Sequence, residues 1–143
     1  MSANVFERVR ASFVQQQFMA TLGASLVSVK PGAVEIGVPF RADLTQQNGF
    51  IHAGVITSML DSACGYAALS VAPEDAGVLS VEFKVNLLSP AVGERFVARA
   101  QVKRAGRRIT VCAADAFAIN GAGEKLVATM LATIITMNAT SSW

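Results

Sequence analysis

Along residues 54–69, Val55, Ile56, Met59, Leu60, Ala63, Cys64, Ala67 and Ala68 fall on nearly all sides of a helix. A helix that is apolar all round belongs in the middle of a protein, wrapped by its other elements. The segment is too short and too interrupted to be read as a membrane span. Asp61 is the only side chain on it expected to be charged at neutral pH.

The rest of the chain must supply the wrapping. With 143 residues it fits one domain, residues 1–143, that can bury a real core. Hydrophobic residues make up 52% and charged residues 15%, which excludes disorder. So much apolar surface on a small domain is expected to face another subunit, in a homodimer or a homotetramer built from two dimers. A net charge of +2, with no basic stretch interleaved with aromatics, argues against nucleic acid. Residues 1–10 hold Glu7, Arg8 and Arg10 and do not read as a secretory signal. Cys64 and Cys112 sit in apolar stretches and are expected to be buried, reduced thiols, which implies a cytoplasmic location. One His and two scattered Cys do not make a zinc site, so no metal is expected.

Asn4 followed by Glu7 predicts a helix start, and Phe6, Val9 and Phe13 continue at helical spacing to a stop at Gly23. Ser25 to Lys30 reads as a strand and Pro31-Gly32 as a turn. Val34, Ile36 and Val38 are the inward positions of a second strand. Residues 40–51 form a polar loop. After Pro73 the pattern is all strand. Leu79, Val81, Phe83, Val85 and Leu87 alternate with Ser80, Glu82, Lys84 and Asn86. Ser89-Pro90 with Gly93, Ala105-Gly106 and Asn120-Gly121 mark turns between strands beginning near Arg95, Arg107 and Lys125. The phenylalanines mostly fall at positions read as core, and the polar end from Asn138 to Trp143 is expected to fray. The order predicts an α+β fold: two strands, a long buried helix, then about four antiparallel strands in hairpin succession, curved around the helix.

Asp61 is the first candidate for chemistry. A carboxylate on a buried apolar helix is costly unless it is paired or hydrogen-bonded. It is either a structural Asp bonded to backbone or a neighbouring serine, or a general base or nucleophile. The second candidate is the loop from Gln46 to Gly54, which contains Gln47, Asn48, Gly49, Phe50, Ile51, His52 and Ala53 and runs into the start of the helix. The first amides of a helix lack intrahelical partners and suit a developing oxyanion. Gly54 would let the chain turn and a ligand approach closely. His52, the only histidine, reads equally as a structural residue orienting the loop or as a catalytic one.

Residues 52–61, His-Ala-Gly-Val-Ile-Thr-Ser-Met-Leu-Asp, and the strand from Leu79 to Pro90 resemble the hot-dog-fold acyl-CoA thioesterases of the phenylacetic-acid-degradation type. The likeness runs from about Leu22 to Met137. It implies a curved antiparallel sheet of about six strands around the long helix, and hydrolysis of an acyl-CoA with no cofactor. Asp61 would activate water or attack directly, and Ser80 would orient the water. The Ala53 amide would face the thioester carbonyl, Gln46 would stand where the family often has Asn, and His52 would hold the loop. Gly49, Gly54 and Val81 would lie along the substrate. The site would be shared, with Asp61 and Ser80 from one subunit and the loop from its partner. Ala53 stands where the family usually has Gly, and its methyl narrows the approach.

Lys103, Arg104, Arg107 and Arg108 form a basic hairpin that reads either as a solvated turn or as a phosphate site. The resemblance places CoA phosphates there, on Arg104 and Arg107. Two other readings are a hydratase, which needs an Asp–His proton-transfer pair, and a non-catalytic acyl-CoA-binding module. The latter is expected to lack the water-activating acid or to carry a DNA-binding segment. Asp61 is present, and no helix-turn-helix pattern is read ahead of the domain.

Overall fold

The computed structural model describes residues 2–138, so the tail expected to fray lies, beyond Asn138, outside the described residues. Helices α1 (Ser2–Gln15) and α2 (Gln17–Leu22) lead into β1 (Ser25–Lys30) and β2 (Ala33–Pro39). Helix α3 (Ala53–Val71) follows, then β3 (Gly77–Leu87), β4 (Arg95–Ala105), β5 (Ile109–Asn120) and β6 (Gly123–Met137). The six strands form one antiparallel sheet in the order β1-β2-β4-β5-β6-β3, packed on α3. This is the hot-dog architecture.

The inner face of the sheet is paved with small residues. Ala98, Ala100, Ala114, Ala116, Ala118, Ala128 and Ala132 are all buried, opposite Ala63, Cys64, Ala67 and Ala68 of α3. Small side chains on both surfaces let the helix approach the sheet closely, and the larger Met59, Leu60, Ile36, Phe96 and Ile134 fill the remaining space. Full burial of Leu60 or Met59 is worth about 1.5–3 kcal/mol each. By length and composition α3 does reach what a bilayer span requires, contrary to the sequence expectation. However, 61% of that stretch is buried inside the protein, so its apolar surface is largely covered.

The helical N-terminus differs from the sequence reading in two ways. Asn4 lies inside α1, so it is not a cap, and the helix breaks at Gln16, whose backbone is extended. The stop at Gly23 is as expected. Its left-handed conformation (φ 70°) lets its amide reach Ala20 O while Ala24 N–H reaches Met19 O. Arg8 fastens α1 to the far end of α3, donating to the carbonyls of Ala72 (2.8 Å), Pro73 (2.5 Å) and Ala76 (3.1 Å). A guanidinium suits that place, because the last carbonyls of a helix carry partial negative charge.

Two further expectations are corrected. β3 does not form a hairpin with β4: it pairs with β6 at the opposite edge, and β4 pairs with β2. The 88–94 segment therefore crosses the end of the barrel-like wrap, where Ala91 is buried and its carbonyl accepts from Ile51 N–H at 3.1 Å. The phenylalanines are mostly not core either. Phe96 alone is fully buried, while Phe6, Phe18, Phe40 and Phe83 are exposed.

Both cysteines are free and buried. Burial pushes the Cys64 thiol up, helped by the proximity of Cys112 and Asp61, and burial pushes Cys112 up to about 11. A raised pKa leaves almost no thiolate near neutrality, and the thiolate is the reactive form. An aromatic disulfide reagent at pH 8 is therefore expected to find no fast-reacting thiol in the native protein and both thiols in denaturant. Rapid native labelling of either would show that the core opens around α3.

Candidate active site

The loop before α3 is organised by Gln46. Its side-chain carbonyl accepts from Asn48 N–H (2.6 Å) and Phe50 N–H (3.3 Å), and its backbone N–H donates to Phe50 O (2.8 Å). Gly49 turns the loop at φ 82°, a conformation that disfavours other residues. His52 N–H bonds to Leu44 O at 2.9 Å.

His52 caps α3. Its Nδ1 accepts from Gly54 N–H at 2.7 Å, so in the neutral ring the proton sits on Nε2. Gly54, unlike Gly49, does not have a positive φ. It is small for another reason: a Cβ there would meet His52 Nδ1 at 2.9 Å. The Val55 and Ile56 amides turn to His52 O at 2.9 and 3.5 Å. Of the first four amides of α3, that leaves Ala53 N–H without an acceptor among the described residues. It opens on a cavity of about 470 Å³ that is also lined by Gln46, Phe50, His52, Leu87, Leu88 and Val127.

Asp61 is half-buried rather than buried, and it faces a second cavity of about 670 Å³. Ser80 Oγ donates to Asp61 Oδ1 at 2.5 Å. Simple alternation would have put Ser80 on the face of Glu82 and Lys84, away from the helix. A β-bulge at Val81 changes this, because Ser80 pairs with Ile134 whereas Glu82 pairs with Thr133. Ser80 thus shares the inner face with Phe83 and Val85, and Leu79 turns outward with Glu82. Bulges commonly re-aim side chains in this way. Val81, the bulged residue, is exposed beside Ser80.

The two halves do not meet within one chain. Asp61 lies eight residues beyond Ala53, about 12 Å along the helix axis, and the two groups line different cavities. One carbonyl group cannot touch both. For the same reason His52 and Asp61 of one chain do not form the proton-transfer pair that a hydratase needs. Arg104 and Arg107 sit on the exposed β4–β5 hairpin and have no carboxylate partner among the described residues. The hairpin lies at the Ser80 end of the sheet, since Ser80, Ile134 and Thr110 stand side by side across β3, β6 and β5.

The sequence reading missed one wall. Arg8, Ser12 and Gln16 of the N-terminal helical segment line the Asp61 cavity with Ser62, Gly65, Tyr66, Leu69, Val78 and Leu79. The polar run Gln15-Gln16-Gln17, interrupting a helix, was the available signal.

Comparison with known proteins gives the family. Residues 48–124, just over half of the chain, match the thioesterase superfamily model. A thioesterase family protein from Silicibacter pomeroyi has the same fold at a TM-score of 0.92 and 51% identity, covering 94% of this chain and 98% of that one. The E. coli PaaI protein from the phenylacetic acid degradation operon shares the fold at a TM-score of 0.86 and 19% identity, with 96% of each chain covered. Acyl-coenzyme A thioesterase 13 of Homo sapiens is 29% identical over 130 residues, 90% of this chain and 91% of that protein. The chain belongs to the thioesterase superfamily and is a thioester hydrolase built on the hot-dog fold.

Proposed function

We propose that the chain is an acyl-CoA thioesterase, cleaving an acyl-CoA to the free acid and CoA at a site shared by two subunits. The observation that carries the reading is the Asp61–Ser80 pair at a cavity mouth on an otherwise apolar helix. Ser80 holds Oδ1 and leaves Oδ2 for water. Asp61 takes the proton as that water attacks the thioester carbon. The partner's Ala53 amide receives the charge that develops on the carbonyl oxygen. The tetrahedral intermediate collapses with loss of the CoA thiolate, which recovers the proton. Gln46 and His52 shape the loop that presents the amide, beside Gly49 and Gly54, and Val81 flanks the substrate.

The free outer edge of β3 supports a shared site. A long edge strand bearing exposed Leu79, Val81, Phe83 and Leu87 invites pairing. A second copy antiparallel to it, related by a twofold near Phe83, would set Leu79 against the partner's Leu87, which lines the loop cavity. The Ala53 amide of one chain would then approach the Asp61 of the other. Such dimers would pair into tetramers through the outer sheet face, where Ile109 and Leu131 are exposed. Two free thiols fit a cytoplasmic protein.

Replacing Asp61 by Asn keeps the shape and the Ser80 contact but removes the base. Turnover of acyl-CoA is expected to fall by roughly two to four orders of magnitude. Hydrolysis within a few-fold of wild type would end the mechanism.

For the hairpin, changing Arg104 and Arg107 together to Ala is expected to raise KM for acyl-CoA. A truncated thioester without the nucleotide should be affected much less. Equal losses on both substrates would make the hairpin structural.

Sharing of the site has its own readout. Asp61→Asn chains co-refolded with chains carrying both Gln46→Ala and His52→Ala should regain activity, since mixed dimers hold one intact site. Equal mixing predicts roughly a quarter of wild-type activity. Tagged heterodimers as inactive as their parents would place the whole site in one chain.

A further inference from the structure

The Asp61 cavity runs along α3, and its walls differ in character. Asp61, Gly65 and Leu69 follow one another at four-residue spacing, so they form a stripe about 12 Å long. A Cβ at Gly65 would meet nothing within 4 Å, so the stripe is an open floor leading away from the carboxylate. Val78, on the inner face of β3, is an apolar part of the lining, and Leu79 adjoins it at the edge. The cluster at this cavity has four hydrogen-bonding side chains. Gln16 Nε2 donates to the Tyr66 phenol oxygen (3.0 Å), Ser12 Oγ donates to the same oxygen (3.3 Å), and Ser62 Oγ donates to Gln16 Oε1 (3.2 Å).

Counting protons shows what this cluster lacks. Ser12 and Tyr66 bring two hydroxyl protons and share one bond, so one proton is left over whichever group donates. Gln16 has a second Nε2 proton that these contacts do not use. The cluster therefore has surplus donors at a cavity wall, on a tyrosine that is only 7% exposed. An acyl group that brings an acceptor can take such a proton, and a plain hydrocarbon cannot. Ser12 and Gln16 also lie outside the stretch that matches the family, residues 48–124. The break of the helix at Gln16 is what turns its amide toward Tyr66 and Ser62.

We infer that Gln16 and Tyr66, with Ser12 and Ser62, are specificity-determining residues that select acyl groups bearing a hydrogen-bond acceptor, such as a hydroxyl, distal to the thioester. This inference rests on the thioesterase reading above. Tyr66 lies five residues beyond Asp61, about 7.5 Å along the helix. The favoured oxygen therefore sits several bonds from the reacting carbon, and a substituent next to the thioester would miss the cluster.

The test uses the full chain and free-thiol release. The substrates are straight-chain acyl-CoAs from butanoyl to decanoyl, each paired with its ω-hydroxy counterpart. At the chain length whose hydroxyl reaches the cluster, the wild type is expected to favour the hydroxylated member in kcat/KM by about tenfold, the worth of one neutral hydrogen bond. In Tyr66→Phe and Gln16→Leu that ratio should fall toward one. A merely structural role would lower both members together and leave the ratio unchanged. Tyr66→Phe removes a single oxygen and decides the matter if Gln16→Leu folds poorly. The inference is overturned if no length shows the preference, or if the preference survives both substitutions. Release from no substrate at all, with the wild type no better than Asp61→Asn, would instead remove the thioesterase reading and this inference with it.

Discussion

Covering α3 on every side is the constraint from which the rest of this structure follows. A helix with Val55, Ile56, Met59, Leu60, Ala63, Cys64 and Ala67 spread around it has no face fit for water. A flat sheet would cover only one side, so the six strands must curve. Close curvature about a helix needs small side chains on the concave face, and the buried alanines of β4, β5 and β6 meet that need. The high apolar content is thus alanine-heavy by necessity, with bulk confined to a few positions such as Phe96 and Ile134. Charged groups are displaced to the convex face. There Arg99 bonds Glu124 and Glu35 while lying 4.7 Å over the Phe117 ring.

The wrap is incomplete along one stripe of α3, and the carboxylate of Asp61 lies on that stripe. Between β3 and the N-terminal helices the sheet does not close, and Asp61 faces the gap. Asp61 can remain half-hydrated there, with Ser80 as its partner, and avoids the heavy cost of a fully desolvated charge. The bulge at Val81 is what supplies Ser80. Arg8 holds α1 across the same gap by gripping the carbonyls at the end of α3.

Much of this could be read from the residues themselves. The central helix, the β1–β2 hairpin and the Gly23 stop followed from periodicity and turn chemistry, and the candidacy of Asp61 rested on its isolation on an apolar helix. What escaped depended on partners distant in sequence. The bulge at Val81 leaves no mark in Leu-Ser-Val-Glu-Phe-Lys-Val-Asn-Leu, whose alternation is unbroken, because it is created by the register against β6. Ser89-Pro90 and Gly93 look like a hairpin turn, and only the competition among edges decides that β3 pairs with β6. A further role of Gly54 also escaped, because it concerns the capping residue two positions earlier. Its missing side chain makes room for the His52 ring, a contact that no backbone propensity announces.

The geometry of a single helix also bears on why an activity on this fold would depend on assembly. An N-terminal amide and a carboxylate eight residues later are held about 12 Å apart by the helix that carries both. No loop movement changes that distance, because both groups belong to one rigid rod. If, as proposed, the helix start is the oxyanion donor and Asp61 the base, the two reach one carbon only when one of them comes from another chain. His52 sharpens the division. By taking the Gly54 amide and, through its carbonyl, those of Val55 and Ile56, it leaves the Ala53 amide alone to face outward. Under the proposed function, the exposed edge of β3 is then the element that aligns two incomplete halves. The apolar residues along that edge would serve catalysis by setting register, without any of them touching the reacting atoms.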